Sequence, residues 1–118
     1  MYDHIGIKVK DLPASVRFYR AALAPLGHVL CSQDDSCAGF GPPDAPALWL
    51  YASDTRGPGT HIAFRAGDPA AVRRFHAAGL DAGGRDNGGA GPRADYSPTY
   101  YAAFLLDPDG NNVEAVHT

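Results

Sequence analysis

Three residues in this sequence have types and settings that suit metal chemistry: His4, His61 and Glu114. Each histidine opens an alternating apolar segment, whereas Glu114 stands in the middle of one. A buried carboxylate is costly unless it is paired, hydrogen-bonded or bound to a metal. Two imidazoles and one carboxylate facing one cleft are a recognised ligand set for divalent Fe, Mn, Ni, Co or Zn. The three residues therefore indicate a divalent metal site.

An ion pair without metal is the competing interpretation. Lys8 and Arg65 follow the two histidines along the same segments, and either could neutralise Glu114. The remaining histidines are predicted to lie outside the ligand set: His28, His76 and His117. Both interpretations of Glu114 stay open at the level of sequence.

The two leading histidines occupy matching positions of an internal repeat. Residues 4–27 align with residues 61–84 at an offset of 57, and nine of the 24 aligned pairs are identical. These pairs include His4 with His61 and Asp11 with Asp68. A duplication of one structural unit relates such residues by pseudo-twofold symmetry, so a cleft on that axis would face both histidines.

Each copy has the pattern of a β-α-β-β-β unit. An alternating strand leads to an aspartate at a helix N-cap, Asp11 or Asp68, with a proline in the first helical turn. Apolar segments broken by turns follow each helix, and they cover residues 28–31, 37–40, 47–52, 100–106 and 111–117. We therefore predict an α+β fold in which two tandem βαβββ modules form a cupped mixed sheet with helices outside. The second strand of copy two is expected near residues 80–85.

Residues 83–98 are rich in Gly, Asn, Asp and Pro, and the pattern predicts a long loop. It is either a solvated excursion or a lid over a pocket. The predicted substrate-binding residues are Trp49, Arg93, Tyr96, Tyr100 and Tyr101. Tyr100 and Tyr101 are also candidates for a catalytic hydroxyl.

Composition narrows the class of protein further. A length of 118 residues predicts one domain, 1–118, divided into modules 1–57 and 58–118. The net charge of −3 gives no basic surface for nucleic acid, and no apolar run is long enough to span a membrane. The N-terminus does not look like a signal peptide, and the two cysteines, six residues apart, are expected to be free thiols. These features predict a cytoplasmic protein.

The sequence resembles the vicinal oxygen chelate superfamily, which contains glyoxalase I, extradiol dioxygenases and the fosfomycin and bleomycin resistance proteins. The resemblance rests on residues 3–7, the Phe-Tyr pair at 18–19, residues 60–64 and the closing Asp-Pro-Asp-Gly-Asn-Asn-Val-Glu at 107–114. It implies paired βαβββ modules, with His4, His61 and Glu114 as metal ligands. It also implies a homodimer that binds a small molecule.

One departure from the family pattern bears on activity. Glyoxalase I has a further carboxylate on the strand that ends its first module, but residues 47–51 here read Ala-Leu-Trp-Leu-Tyr. The resemblance therefore implies a metal-dependent lyase, isomerase or dioxygenase for a substrate with neighbouring oxygens, and not a true glyoxalase I. The alternative is a non-catalytic protein that binds an antibiotic or toxin in the same cleft and confers resistance. A purely structural module is the weakest hypothesis, because it explains neither histidine.

Overall fold

The repeat seen in the sequence is a repeat of structure. A computed structural model describes residues 2–55 and 59–118. The first module contains β1 (Ile5–Val9), α1 (Leu12–Leu23), a 3₁₀ turn (Ala24–Leu26), β2 (Val29–Gln33), β3 (Cys37–Gly41) and β4 (Leu48–Ala52). The second contains β5 (His61–Arg65), α2 (Pro69–Asp81), β6 (Arg85–Pro92), β7 (Tyr101–Leu106) and β8 (Asn112–His117). The α+β fold of two βαβββ modules is confirmed. The boundary proposed between residues 57 and 58 lies outside the described residues.

Each module forms its own four-stranded sheet with the same topology. The strand order is β1-β4-β3-β2 in the first sheet and β5-β8-β7-β6 in the second. In both sheets the leading strand runs parallel to the last strand of its module, and the other neighbours are antiparallel. One face of each sheet is covered by the helix of its own module. We call the other face the open face.

The helices begin where the aspartates predict. The side chain of Asp11 accepts a hydrogen bond from the Ala14 amide, and Asp68 accepts one from the Ala71 amide. These contacts satisfy amides that lack a partner in the first helical turn. The two helices also pack against each other, so the modules meet largely through their helices.

Strand β6 differs from the sequence-based expectation. The second strand of copy two was expected near residues 80–85, within or before a long loop over residues 83–98. The structure places this strand at Arg85–Pro92, inside the predicted loop, where it pairs with β7. Its glycines and two register shifts remove the alternating apolar pattern that identifies a strand, so only the pairing with β7 reveals it.

The turn before β8 joins the modules through buried polar groups. Asp107 is almost fully buried, and its carboxylate accepts a hydrogen bond of 2.6 Å from the Tyr19 hydroxyl of α1. Asp109 accepts a hydrogen bond of 3.1 Å from the amide of Lys10, the residue that follows the leading strand of the first module. The side-chain oxygen of Asn111 accepts from the Thr60 amide, immediately before His61. This turn therefore fixes β8 and β5 relative to the first module.

The absence of a side chain at Gly84 allows the second module to pack closely against Phe18 of α1. A Cβ atom built on Gly84 would lie 2.4 Å from a ring carbon of Phe18 and 2.8 Å from the carbonyl oxygen of Gly79. Since Phe18 is fully buried and the carbonyl belongs to the backbone, neither can move aside freely. We expect Gly84→Ala to lower the free energy of unfolding by about 2 kcal/mol in urea denaturation. Gly67→Ala is the matched control, because a Cβ there meets nothing within 4 Å, and an equal loss in both variants would contradict this account.

Candidate functional site on the open face of the second sheet

Strand β8 carries Glu114 onto the open face of the second sheet. Glu114 is opposite Ala63 of β5 and opposite Phe104 of β7 in the strand register. It is 3% exposed. His61 lies two residues before Ala63, so the alternation of β5 puts it on the same face. The sequence-based assignment of His61 and Glu114 to one face agrees with this register.

Two side chains satisfy the Glu114 carboxylate. Its Oε2 lies 3.1 Å from Nε2 of His61. Its Oε1 accepts a hydrogen bond of 2.5 Å from the Tyr100 hydroxyl. Within the described part of the chain, neither Lys8 nor Arg65 forms an ion pair with it. The structure therefore does not support the interpretation in which Lys8 or Arg65 neutralises Glu114.

Glu114 holds the proton of Tyr100. The hydrogen bond to the carboxylate is the main cause that raises the pKa of the Tyr100 hydroxyl to about 12, and partial burial and the negative charge of Glu114 add to it. The hydroxyl is therefore protonated, and donates a hydrogen bond to Glu114, throughout the physiological pH range. The stability that this hydrogen bond contributes is present below pH 10, the ordinary tyrosine pKa, and is lost as the pH rises towards 12.

We expect Glu114→Gln to return the pKa of Tyr100 towards 10, because the negative charge that favours the protonated phenol is removed. The titration can be followed by carbon NMR of the tyrosine Cζ resonances, with Tyr100→Phe to assign the signal. A Tyr100 pKa that is unchanged in Glu114→Gln would show that the carboxylate does not hold this proton.

Aromatic and cationic groups surround the carboxylate. The His61 imidazole stacks on Phe104, with ring centroids 6.4 Å apart and planes inclined by 22°. The Arg93 guanidinium lies 5.4 Å from the centroid of the same Phe104 ring. Tyr96, which is exposed, contacts Tyr100 edge to face at 5.0 Å. We call this cluster on the open face the His61 cup, and Glu114 is its buried member.

Backbone carbonyls hold Arg93 in this position. Its guanidinium donates to the carbonyl oxygens of Gly89 at 2.7 Å and Gly91 at 2.9 Å. Both glycines belong to β6, the strand that was predicted to be loop. The backbone of β6 therefore holds the Arg93 guanidinium beside Phe104.

His4 lies apart from this cluster. Its Nδ1 is 2.6 Å from a carboxylate oxygen of the neighbouring Asp3, and both side chains are exposed. Among residues 2–55 and 59–118, no three His, Cys, Asp or Glu side chains are close enough together to hold a metal ion. The structure brings together two of the three predicted ligands, so the complete ligand set stays a prediction.

Trp49 occupies the position in the first sheet that Glu114 has in the second. Trp49 is opposite Gly6 and Gly39, as Glu114 is opposite Ala63 and Phe104. A Cβ atom on Gly39 would lie 2.8 Å from the Trp49 ring, so the indole rests on bare backbone. At equivalent positions, the first module therefore has Trp49 opposite Gly39, whereas the second has Glu114 opposite Phe104. The first sheet has no carboxylate there, in line with the sequence.

The predicted tyrosines divide between the two faces. Tyr100 and Tyr96 belong to the cup, whereas the Tyr101 hydroxyl accepts a hydrogen bond from Arg73 of α2 on the helix-covered face. The sequence analysis missed Phe104, the ring that both His61 and Arg93 contact. The period-two alternation from Tyr100 through Ala102 would have placed Phe104 on the Glu114 face.

Paired βαβββ modules with a histidine–carboxylate pair on an open sheet face place this chain among duplicated α+β domains. The family model of the Glyoxalase/Bleomycin resistance protein/Dioxygenase superfamily matches residues 2–115. The chain belongs to this superfamily.

Solved structures show the same fold over the whole chain. A glyoxalase/bleomycin resistance protein from Albidiferax ferrireducens T118 is 32% identical with a TM-score of 0.87, and the match covers 100% of this chain and 99% of that one. A glyoxalase-related enzyme from Fulvimarina pelagi is 19% identical with a TM-score of 0.74, covering 97% and 85%. A glyoxalase/bleomycin resistance protein/dioxygenase family enzyme from Burkholderia phytofirmans PsJN is 18% identical with a TM-score of 0.74, covering 97% and 95%.

A comparison with curated proteins finds no match. Among the described residues, neither helix has the length and apolar character that crossing a membrane requires.

Proposed function

We propose that this protein is a divalent-metal-dependent enzyme that acts on a small substrate with two neighbouring oxygens, as a lyase, isomerase or dioxygenase. The observation that carries the proposal is the buried Glu114 carboxylate with His61 Nε2 at 3.1 Å. Membership of the superfamily and the enzymes among its structural relatives support it. The proposed metal ligands are His61, Glu114 and His4, and the ion is Fe, Mn, Ni, Co or Zn.

The His61–Glu114 pair fits a shared ion. Imidazole nitrogen and carboxylate oxygen each bind such ions at about 2.0–2.2 Å. The observed separation of 3.1 Å between His61 Nε2 and Glu114 Oε2 would allow both atoms to bind one such ion. Tyr100 occupies the other carboxylate oxygen and thereby orients Oε2 towards His61. An outer hydrogen bond of this kind commonly orients a metal ligand.

A second copy of the chain is the proposed source of the third ligand. Within one chain the modules meet largely through α1 and α2, which leaves the open faces of both sheets available. His4 and His61 are each about half exposed. In a twofold dimer, the first sheet of one copy can cover the second sheet of the other, which brings His4 of one chain to the His61 cup of its partner. We therefore propose a homodimer with two composite sites.

The residues of the cup have separate roles. A bound divalent ion would supply Lewis-acid polarisation of the two substrate oxygens. Tyr100 keeps its proton in the hydrogen bond to Glu114, which suits a residue that orients the carboxylate and offers a neutral hydroxyl beside the substrate. Arg93 and Tyr96 are the proposed contacts for the body of the substrate, with Trp49 entering from the partner's first sheet. Tyr101 takes no part in this arrangement, because its hydroxyl contacts Arg73 on the other face.

Trp49 argues against the glyoxalase I reaction. It takes the position in the first module where a second carboxylate would have to stand, so a proton transfer that depends on that carboxylate has no group here. We expect no turnover of a hemithioacetal by the purified protein.

A non-catalytic binding protein is the second candidate. The aromatic surfaces of Phe104, Tyr96 and Tyr100 beside a buried carboxylate would suit an aromatic or cationic compound without any metal. Both candidates use a small molecule in the cytoplasm. The free thiols of Cys31 and Cys37 fit such a reducing compartment.

A cobalt titration separates the two candidates. Protein purified without chelators is titrated with Co²⁺ and followed by visible absorbance, while light scattering gives the mass in solution. The enzyme proposal expects one Co²⁺ for each chain and a dimer mass. Absence of saturable Co²⁺ binding by the dimer would favour the metal-free binding protein, and a monomer would contradict the composite site.

A further inference from the structure

A cavity lies where the two modules meet. It measures about 210 Å³, and side chains of both modules line it. The ones used here are Leu23, His28, Phe40, Leu48, Ile62 and Phe64. We call it the seam cavity.

The seam cavity is distinct from the His61 cup. Ile62 and Phe64 alternate with His61 and Ala63 along β5, so they point to the helix-covered side of the second sheet. The exposed residues Tyr2 and Asp3 also line the cavity and mark its solvent end. Of the residues proposed for the metal and substrate site, only His4 lines the cavity, at the same end as Tyr2 and Asp3, and Ala63 contributes from β5. Glu114, His61, Arg93, Tyr96 and Tyr100 do not line it.

Its size and lining suit one aromatic ring. Six of the fourteen lining residues are Leu, Ile or Phe, and the exposed surface of the lining is mainly apolar. Apolar cavities of about 150 Å³ bind benzene, whereas sites for drug-sized ligands start at about 300 Å³. A volume of about 210 Å³ therefore fits a single ring with a small substituent.

His28 adds one polar contact to this apolar wall. Its Nδ1 is buried and has no hydrogen-bond partner within residues 2–55 and 59–118. Its ring lies 6.2 Å from that of Phe64. Burial lowers the pKa of the His28 imidazole, so the ring is neutral near pH 7 and its nitrogen can pair with a neutral group. Buried polar atoms nearly always have a partner, which makes this nitrogen an exception that calls for one.

We propose that the seam cavity binds a small phenol-type molecule, with its ring among Leu23, Ile62 and Phe64 and its hydroxyl on Nδ1 of His28. A hydroxyl both donates and accepts, so it satisfies Nδ1 in either tautomer of the imidazole. An anionic ligand is disfavoured by Asp3 at the solvent end and by the neutral state of His28. The proposal does not rest on the function assigned to the cup.

Phenol and toluene are the probes that test it, because they have nearly the same shape and differ in the hydroxyl. Amide NMR titrations of the whole protein should show saturable shifts centred on Leu23, His28 and Phe64. We expect phenol to bind about tenfold more tightly than toluene, the effect of one net hydrogen bond. In His28→Phe, which keeps a ring and removes the nitrogen, this preference should fall to about one.

Ala47→Trp should abolish both binding events, because Ala47 lines the cavity and is exposed enough to accept a larger side chain. Circular dichroism checks the fold, and Ile62→Trp is a second blocking variant. Equal affinity for phenol and toluene in the unmodified protein, absence of saturable shifts, or shifts centred on the His61 cup would each overturn the proposal. None of these results would change the Co²⁺ titration, so failure here is separable from failure of the proposed function.

Discussion

His61→Ala is expected to reduce Co²⁺ affinity by more than a hundredfold while leaving the fold intact. Loss of an outer partner of a metal ligand already costs roughly 10- to 100-fold, and loss of the ligand itself costs more. The His61 side chain is half exposed on an open sheet face, so its removal leaves no buried cavity. Visible absorbance of bound Co²⁺ measures the affinity, and circular dichroism checks the fold.

His76→Ala is the matched control for this variant. His76 lies on α2 and its Nε2 is 2.9 Å from Asp86, so it belongs to the helix-covered side of the second module. We expect its removal to leave Co²⁺ affinity within twofold, roughly the scatter of such measurements. Equal losses in the two variants would mean that His61 binds no metal.

A mixing experiment decides whether the site is shared between chains. His4→Ala and Glu114→Gln should each abolish Co²⁺ binding when pure. In a refolded equal mixture, half of the dimers combine the two variants, and each of these has one intact composite site. The mixture should therefore regain about a quarter of the wild-type capacity. No recovery from two inactive variants would show that His4 acts within its own chain, and Co²⁺ binding by pure His4→Ala would show that His4 takes no part.

Asp107→Ala is expected to lower the free energy of unfolding by about 3–5 kcal/mol, because several buried donors lose their charged acceptor at about 1–3 kcal/mol each. The carboxylate accepts hydrogen bonds from the Tyr19 hydroxyl, from the Asn111 side chain and from the amides of Asp109 and Asn111. The substitution leaves these donors buried without an acceptor. Urea denaturation followed by tryptophan fluorescence measures the loss.

Two variants serve as comparisons for Asp107→Ala. Tyr19→Phe changes one partner of the Asp107 carboxylate, and Asp35→Ala changes an exposed aspartate. Tyr19→Phe removes one donor to the buried carboxylate and should cost about 1.5–3 kcal/mol. Asp35 is exposed, so Asp35→Ala should stay within about 0.5 kcal/mol of the wild type. A cost below 1 kcal/mol for Asp107→Ala, near that of the surface control, would show that the turn is not a structural link between the modules.

Local signals in the sequence were enough to determine the repeated unit. The aspartate caps and the alternating leading strands each depend on a few neighbouring residues, and the structure confirms them. Gly27, predicted to end the first helix, ends the 3₁₀ turn that follows it. Strand alternation also placed His61 on the face opposite its helix, because period-two alternation holds wherever a strand forms. Fold class and half of the candidate site therefore follow from short-range physical chemistry.

The tertiary structure decided what depends on pairing between distant segments. Strand β6 exists because β7 provides partners for a backbone rich in glycine, and no side-chain pattern records this. The Tyr100–Glu114 hydrogen bond and the Asp107–Tyr19 link likewise join residues that no spacing rule connects. Repeat symmetry made His4 and His61 equivalent in sequence, but the modules pack through their helices, so equivalence did not bring the two side chains into one cluster with Glu114. Whether His4 and His61 come together depends on which surfaces of the two modules pack against each other. Local sequence patterns do not determine that packing.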